Sequence, residues 1–212
     1  MRSLILFLFA TSAFPQIISY GVKGGVPFTD ALNAITSGNI SYTSLTHRYT
    51  IGPTVELHLP FHLGVEFDVL YNRLDFNSTE SLTSATQLSA TTANSWEFPL
   101  LLKYRFGHGP IHPYVAGGPS FRGLSGVEQI LNVLPIPHGT ATTSSTSNPS
   151  QLQNNFVAGF AFGGGVDVHA LFLHISPEIR FTRWTSQNFT DNVTGALNTN
   201  LNEAAFLVGF TF

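Results

Sequence analysis

The sequence predicts an all-β fold: an eight-stranded antiparallel up-and-down transmembrane β-barrel with four long extracellular loops and three short periplasmic turns. Three observations predict it. The final residues set Ala204, Phe206, Val208, Phe210 and Phe212 on one face of a strand and Glu203, Ala205, Leu207, Gly209 and Thr211 on the other, a period of two with the large apolar groups on one side. Charged residues make up only 10% of the 212 and aromatics 13%, too few charges for a surface that meets water all round. Strand-like segments are joined alternately by short and long connections, as in barrels whose turns and loops lie on opposite sides of a bilayer.

The elements follow in chain order. Arg2, the apolar run Leu4 to Ala10 and the small residues Thr11, Ser12 and Ala13 predict a secretory signal peptide over residues 1–13, leaving residues 14–212 as the barrel domain. The eight strands are expected at Ser19–Phe28, His47–Leu59, His62–Phe76, Asn94–Phe106, His112–Leu124, Asn155–Val168, Leu171–Trp184 and Leu201–Phe212. Their lengths suit tilted crossings of a bilayer. Tight turns fall around Pro60, over Gly107 to Ile111, and at His169 and Ala170. The long connections, 29–46, 77–93, 125–154 and 185–200, are rich in Ser, Thr, Asn and Gly and are expected to be mobile loops that build no core. Pro53, Pro99, Pro119 and Pro177 lie inside strands of a sheet without edges, so β-bulges or ladder gaps are expected there.

Apolar side chains alternate outward, with Tyr20, Tyr49, Tyr71, Trp96, Tyr104 and Trp184 near strand ends as aromatic girdles. The opposite parity holds Lys23, Arg48, Glu56, Glu66, Asp68, Glu97, Lys103, Arg105, Arg122, Asp167, Glu178, Arg180 and Glu203. An eight-stranded barrel has room inside only for its own side chains, so these groups are expected to fill the lumen and pair with one another. Glu66 and Asp68 are expected beside Lys103 and Arg105 on the neighbouring strand, with small residues such as Gly21, Gly52 and Gly64 making space for the long ones. Such a lumen reads as a sealed plug, with a narrow path for ions or small solutes as the alternative.

Other chemistry finds little support. There is no cysteine, so neither disulfides nor thiolate metal sites are expected, and a net charge of −3 without a basic run argues against nucleic acid. His58, His62, His112, His169 and His174 share the inward parity near the short-turn end, with His108 in a turn, yet no spacing fixes a metal site, and no cofactor is expected. His47 and Asp75, with Ser78 and Ser81, are the rim residues a hydrolase would use, but no ordered catalytic motif links them and an enzyme is not expected.

Several segments carry a family resemblance: Tyr20-Gly-Val-Lys-Gly-Gly, Gly64-Val-Glu-Phe-Asp-Val-Leu-Tyr71, Trp96-Glu-Phe-Pro-Leu-Leu-Leu-Lys-Tyr104, Pro113-Tyr-Val-Ala-Gly-Gly-Pro119 and the terminal Phe-Thr-Phe. The chain resembles the bacterial outer-membrane β-barrel domain family, the group of OmpA-like, OmpX-like and PorT-like eight-stranded barrels. The resemblance implies a Gram-negative outer-membrane location, contact with membrane lipid and lipopolysaccharide, and an extracellular ligand for the long loops. It also implies that Phe210 and Phe212 form the signal read by the barrel-assembly machinery. Activity is left open among anchor, surface-interaction and channel roles.

Overall fold

The computed structural model describes residues 17–45, 47–107, 109–136, 139–170 and 173–212; the expected signal peptide lies outside them, as does His108. Eight antiparallel strands close on themselves. They run Ile18–Pro27, Thr50–His58, Leu63–Asp68 continued by Leu70–Ser81, Ala85–Arg105, Ile111–Pro135, Phe156–Ala170, Leu173–Trp184 and Asn202–Thr211. The first strand pairs with both the second, Gly21 opposite Thr54, and the eighth, Gly21 opposite Thr211, so no backbone edge faces lipid at the seam. Phe212 and Tyr20 finish that seam with two backbone hydrogen bonds, 3.0 and 3.3 Å.

The apolar faces turn outward. Phe67, Leu100, Leu102, Val115, Phe162, Ile179 and Phe206 are all exposed, and the aromatics bracket them. At the loop end Tyr49, Tyr71 and Trp96 form a row, with ring centroids 6.5 and 5.0 Å apart; at the turn end Tyr104 stands on Phe106 at 4.9 Å. Trp184 is not part of a girdle. It is 1% exposed inside the barrel, as the parity of Glu178 and Arg180 on the same strand requires.

The connections differ most from expectation. The third strand continues to Ser81 and the fourth begins at Ala85, paired without interruption from Leu70 opposite Glu97 to Ser81 opposite Thr86, so residues 77–93 form a hairpin rather than a mobile loop. The fifth strand runs on to Pro135, and Thr142–Thr146 adds to its far side. Ile40–Ser44 of the first connection adds to the third strand, and Leu32–Ala34 pairs with Leu197–Thr199 of the fourth. Polar Thr, Ser and Asn satisfy these ladders as well as apolar residues do, because strand pairing uses backbone groups and Thr is a good strand former.

A core forms where none was expected. Ala31, Leu32, Tyr42, Leu74, Phe76, Ala93, Phe189, Ala196 and Leu197 are all buried together at the loop end. Phe76 packs on Phe189 at 5.4 Å and on Tyr42 at 6.2 Å. Few apolar residues lie in each connection, but the strands' own inward Leu74, Phe76 and Ala93 supply the other half.

The turns and prolines also resolve. Phe61 and His62, at the centre of the Pro60 turn, both have left-handed φ, 63° and 64°. His169 and Ala170 belong to the sixth strand, opposite His174 and Leu173, so they are not the turn expected there. Ladder gaps lie beside Pro53, Pro99, Pro119 and Pro177 with register unchanged across them, since a missing N–H removes one bond without inserting a residue. A register shift occurs instead between Thr92 and Asn94, opposite Gly126 with φ 57°, and beyond it the buried parity of the fifth strand moves from Arg122 to Gln129. Among the inward glycines, Gly64 makes room for side chains: a Cβ there would sit 2.4 Å from Glu56 Oε1. At Gly21 and Gly52 it would instead meet the neighbouring strand's carbonyl oxygen at 1.8 and 1.7 Å, so those glycines serve wall curvature.

Candidate functional site: a charge-filled lumen and its outer cap

Inward parity on six different strands delivers the ionic groups of the main cluster to one place. Lys23 reaches Glu66, Glu178 at 3.2 Å and Asp68 at 3.5 Å. Arg180 crosses to Asp68 at 2.7 Å and Glu66 at 3.0 Å, and holds Glu178 of its own strand at 2.6 Å. Nearer the turns, Lys103 joins Glu66 at 2.9 Å to Glu56 at 3.1 Å, and Arg105 joins Glu56 to Asp167 at 2.5 Å. The expected contact between Glu66 and Lys103 is present. Asp68 and Arg105 instead find partners across the barrel, because a closed wall brings distant strands within reach of long side chains.

Neutral groups complete the network. The Tyr114 hydroxyl donates to Glu178 at 3.0 Å while Lys103 lies over its ring at 4.2 Å, Thr54 donates to Asp68 at 2.6 Å, and Ser176 to Asp167 at 2.6 Å. Sequence reasoning passed over all three, although each has inward parity. Toward the loops a second cluster stands apart: Arg122 binds Glu97 at 2.6 Å and also Glu203, with its guanidinium 4.1 Å from the Trp184 ring. A cavity of about 50 Å³, bordered by Asn72, Glu97, Arg180, Thr182, Glu203 and Leu207, separates the two clusters.

Arg48 is the exception among the thirteen. It precedes the second strand, is exposed, and pairs with Asp30 at 3.0 Å outside the lumen. Seven carboxylates therefore face five cations inside, a formal surplus of two negative charges. Most of these groups are buried, and the multiple partners of each cation offset the cost of taking them from water.

The remaining candidates separate. His169 stacks on His174 at 4.2 Å and lies 5.1 Å from His112, but no group of His, Asp or Glu among the described residues is placed to hold a metal ion. His47 does meet Asp75, at 3.2 Å. Ser78 lies on the other face of that strand, bonded to Ser89 at 2.7 Å, so these residues do not form a nucleophile, base and acid in sequence. Above the charged clusters, Gln129 donates to Thr91 and Gln151, and Gln151 to Tyr42, tying the third connection onto the apolar cap.

A closed antiparallel wall, apolar outside between aromatic rows and ionic within, defines a bilayer-spanning β-barrel. The model of the outer membrane protein beta-barrel domain family matches residues 12–184, and the chain belongs to that family, which places it in the bacterial outer membrane. Among solved structures it is similar to OprG from Pseudomonas aeruginosa, with 13% identity over 92% of each chain and a TM-score of 0.47. It is also similar to neisserial surface protein A, with 11% identity over 92% of this chain and 94% of that one and a TM-score of 0.38. Ail, the attachment invasion locus protein of Yersinia pestis, gives 7% identity, 92% and 98% coverage and a TM-score of 0.33. No curated protein matches the chain.

Proposed function

We propose that this protein is a sealed, non-catalytic outer-membrane barrel whose role is to hold an ordered extracellular sheet at the cell surface for interaction with a ligand there. The observation that carries this reading is the layering of the lumen. Two ion clusters and then an apolar cap lie in series along the axis, and the cavity of about 50 Å³ lies between the clusters. A conducting path would have to break pairs such as Arg180 with Asp68 as well as open the cap. The outward belt meets outer-membrane lipid, with lipopolysaccharide in the outer leaflet, and the last strand with Phe210 and Phe212 is what the barrel-assembly machinery engages.

Planar-bilayer recording tests the sealed lumen directly. The wild-type protein is expected to give no resolved conductance steps, and the variant Arg180→Ala combined with Phe189→Ala to give them. Regular steps from the folded wild type would establish the narrow channel instead.

A further inference from the structure

The strand Thr142–Thr146 ends the extracellular sheet. It pairs on one side with the fifth strand, from Thr142 opposite Val133 to Thr146 opposite Gln129, and among the described residues no strand pairs with its other side. All five residues are exposed. Edges of this kind are normally blunted with a charge, a proline or a bulge, because an unpaired row of N–H and C=O groups accepts another strand. None of these devices occurs within Thr-Thr-Ser-Ser-Thr, and its ladder with the fifth strand has no shift. What such an edge recognises is extended polypeptide, since backbone groups in ladder spacing pair with backbone groups.

We propose that the partner is the same strand of a second copy of this chain, held in an opposing outer membrane. The order Thr142-Thr-Ser-Ser-Thr146 reads almost identically in both directions. Antiparallel pairing about Ser144 therefore sets Thr142 against Thr146, Thr143 against Ser145, and Ser144 against itself. Every cross-strand pair is then hydroxyl to hydroxyl, with no like charges opposed. A two-fold axis relates the two copies and must be perpendicular to the paired strands. Barrel strands tilt by about 35–45° from the membrane normal, so that axis cannot be the normal, and two copies side by side in one membrane cannot satisfy it.

The height fits as well. Ser144 lies opposite Leu131 and Leu131 opposite Ser89, seven residues outward of Trp96. At roughly 3.3 Å per residue and about 40° of tilt, Ser89 stands about 18 Å above the girdle, and the two ladder steps across to Ser144 change that height by only about 6 Å, so the edge strand stands clear of the membrane surface. One five-residue ladder binds weakly; many copies on two surfaces bind firmly through avidity.

This proposal rests on the surface-interaction reading but not on the sealed lumen, so conductance and tethering fail independently. The experiment uses proteoliposomes carrying the full-length folded protein, with clustering followed by light scattering and electron cryomicroscopy. Wild-type vesicles are expected to cluster. S144K vesicles alone and S144E vesicles alone are expected to stay dispersed at low salt, and an equal mixture of the two to cluster again, since position 144 faces position 144. Heat-modifiable migration checks that each variant is folded. Dispersed wild-type vesicles, clustering of S144K like wild type, or a mixture that stays dispersed would each overturn the proposal.

Discussion

Replacing Arg180 with Met removes one cation from three carboxylates at once. Asp68 and Glu178, both with fully buried side chains, lose partners at 2.7 and 2.6 Å, and Glu66 loses one at 3.0 Å. Lys23 remains within 3.5 Å of all three and Thr54 still donates to Asp68, so the carboxylates are not wholly abandoned. Breaking a buried pair by removing one partner costs about 3 to 5 kcal/mol, which is roughly a hundredfold to several thousandfold in the folding equilibrium. Urea titration in lipid vesicles, read by heat-modifiable gel migration, is expected to show a loss in that range. The double variant with Glu178→Met is expected to lose less than Arg180→Met alone, because it removes a carboxylate together with the cation. Wild-type urea resistance in the Arg180→Met barrel would refute the idea that these charges form a mutually dependent network.

Deletion of Phe212 removes the two hydrogen bonds to Tyr20 along with the terminal aromatic, and reduced folded yield in the outer membrane is expected on quantitative fractionation. Phe61→Gly relieves a left-handed φ of 63° at a side chain that is 86% exposed in the turn, and is expected to raise stability by about 1 kcal/mol in the same urea assay. Phe189→Ala empties the centre of the outer cap; limited proteolysis is expected to cut residues 185–200 faster while the membrane-embedded strands stay protected. Burial pushes the Asp191 carboxyl up, but the Thr194 hydroxyl and the N–H groups of Val193 and Thr194 outweigh it and leave its pKa below the ordinary value. That contribution is full above the ordinary aspartate range and is lost as pH falls through the lowered value. Cleavage of the fourth connection is therefore expected to rise only in acid, and Asp191→Asn to abolish the acid step.

Period-two alternation made the barrel and its luminal charges legible, because parity survives small errors in strand ends. Twelve of the thirteen charges named from parity alone point inward; Arg48 does not, because the second strand starts at Thr50 and the alternation has nothing to act on before it. Trp184 shows the opposite failure, where an expectation about aromatic girdles overrode a parity that already placed it with Arg180. The partners of Asp68 and Arg105 could not be read, since contact across a closed barrel depends on circumference and tilt rather than on neighbouring strands. The outer cap stayed hidden for a related reason. Leu32, Phe189 and Leu197 are single apolar residues in polar surroundings, and only the pairing of Leu32–Ala34 with Leu197–Thr199 gathers them over Phe76.

The third strand holds the protein at a fixed depth. Along it Phe67 and Tyr71 face out while Glu66 and Asp68 face in; a few residues later Arg73 is exposed on the outer side, with Asp75 of the same parity covered by Arg73 and His47, while Leu74 and Phe76 face in. The chain turns inside out without changing direction, register or side-chain parity. A shift of two residues toward the periplasm would drag Arg73 into hydrocarbon, and a shift the other way would lift Tyr71 into water, so the barrel has one level at which both solvents are satisfied. An average of hydropathy along the strand cancels this reversal. Substitutions that preserve the mean but move the crossover, such as exchanging Tyr71 with Arg73, are therefore the ones that should displace the whole molecule in the membrane.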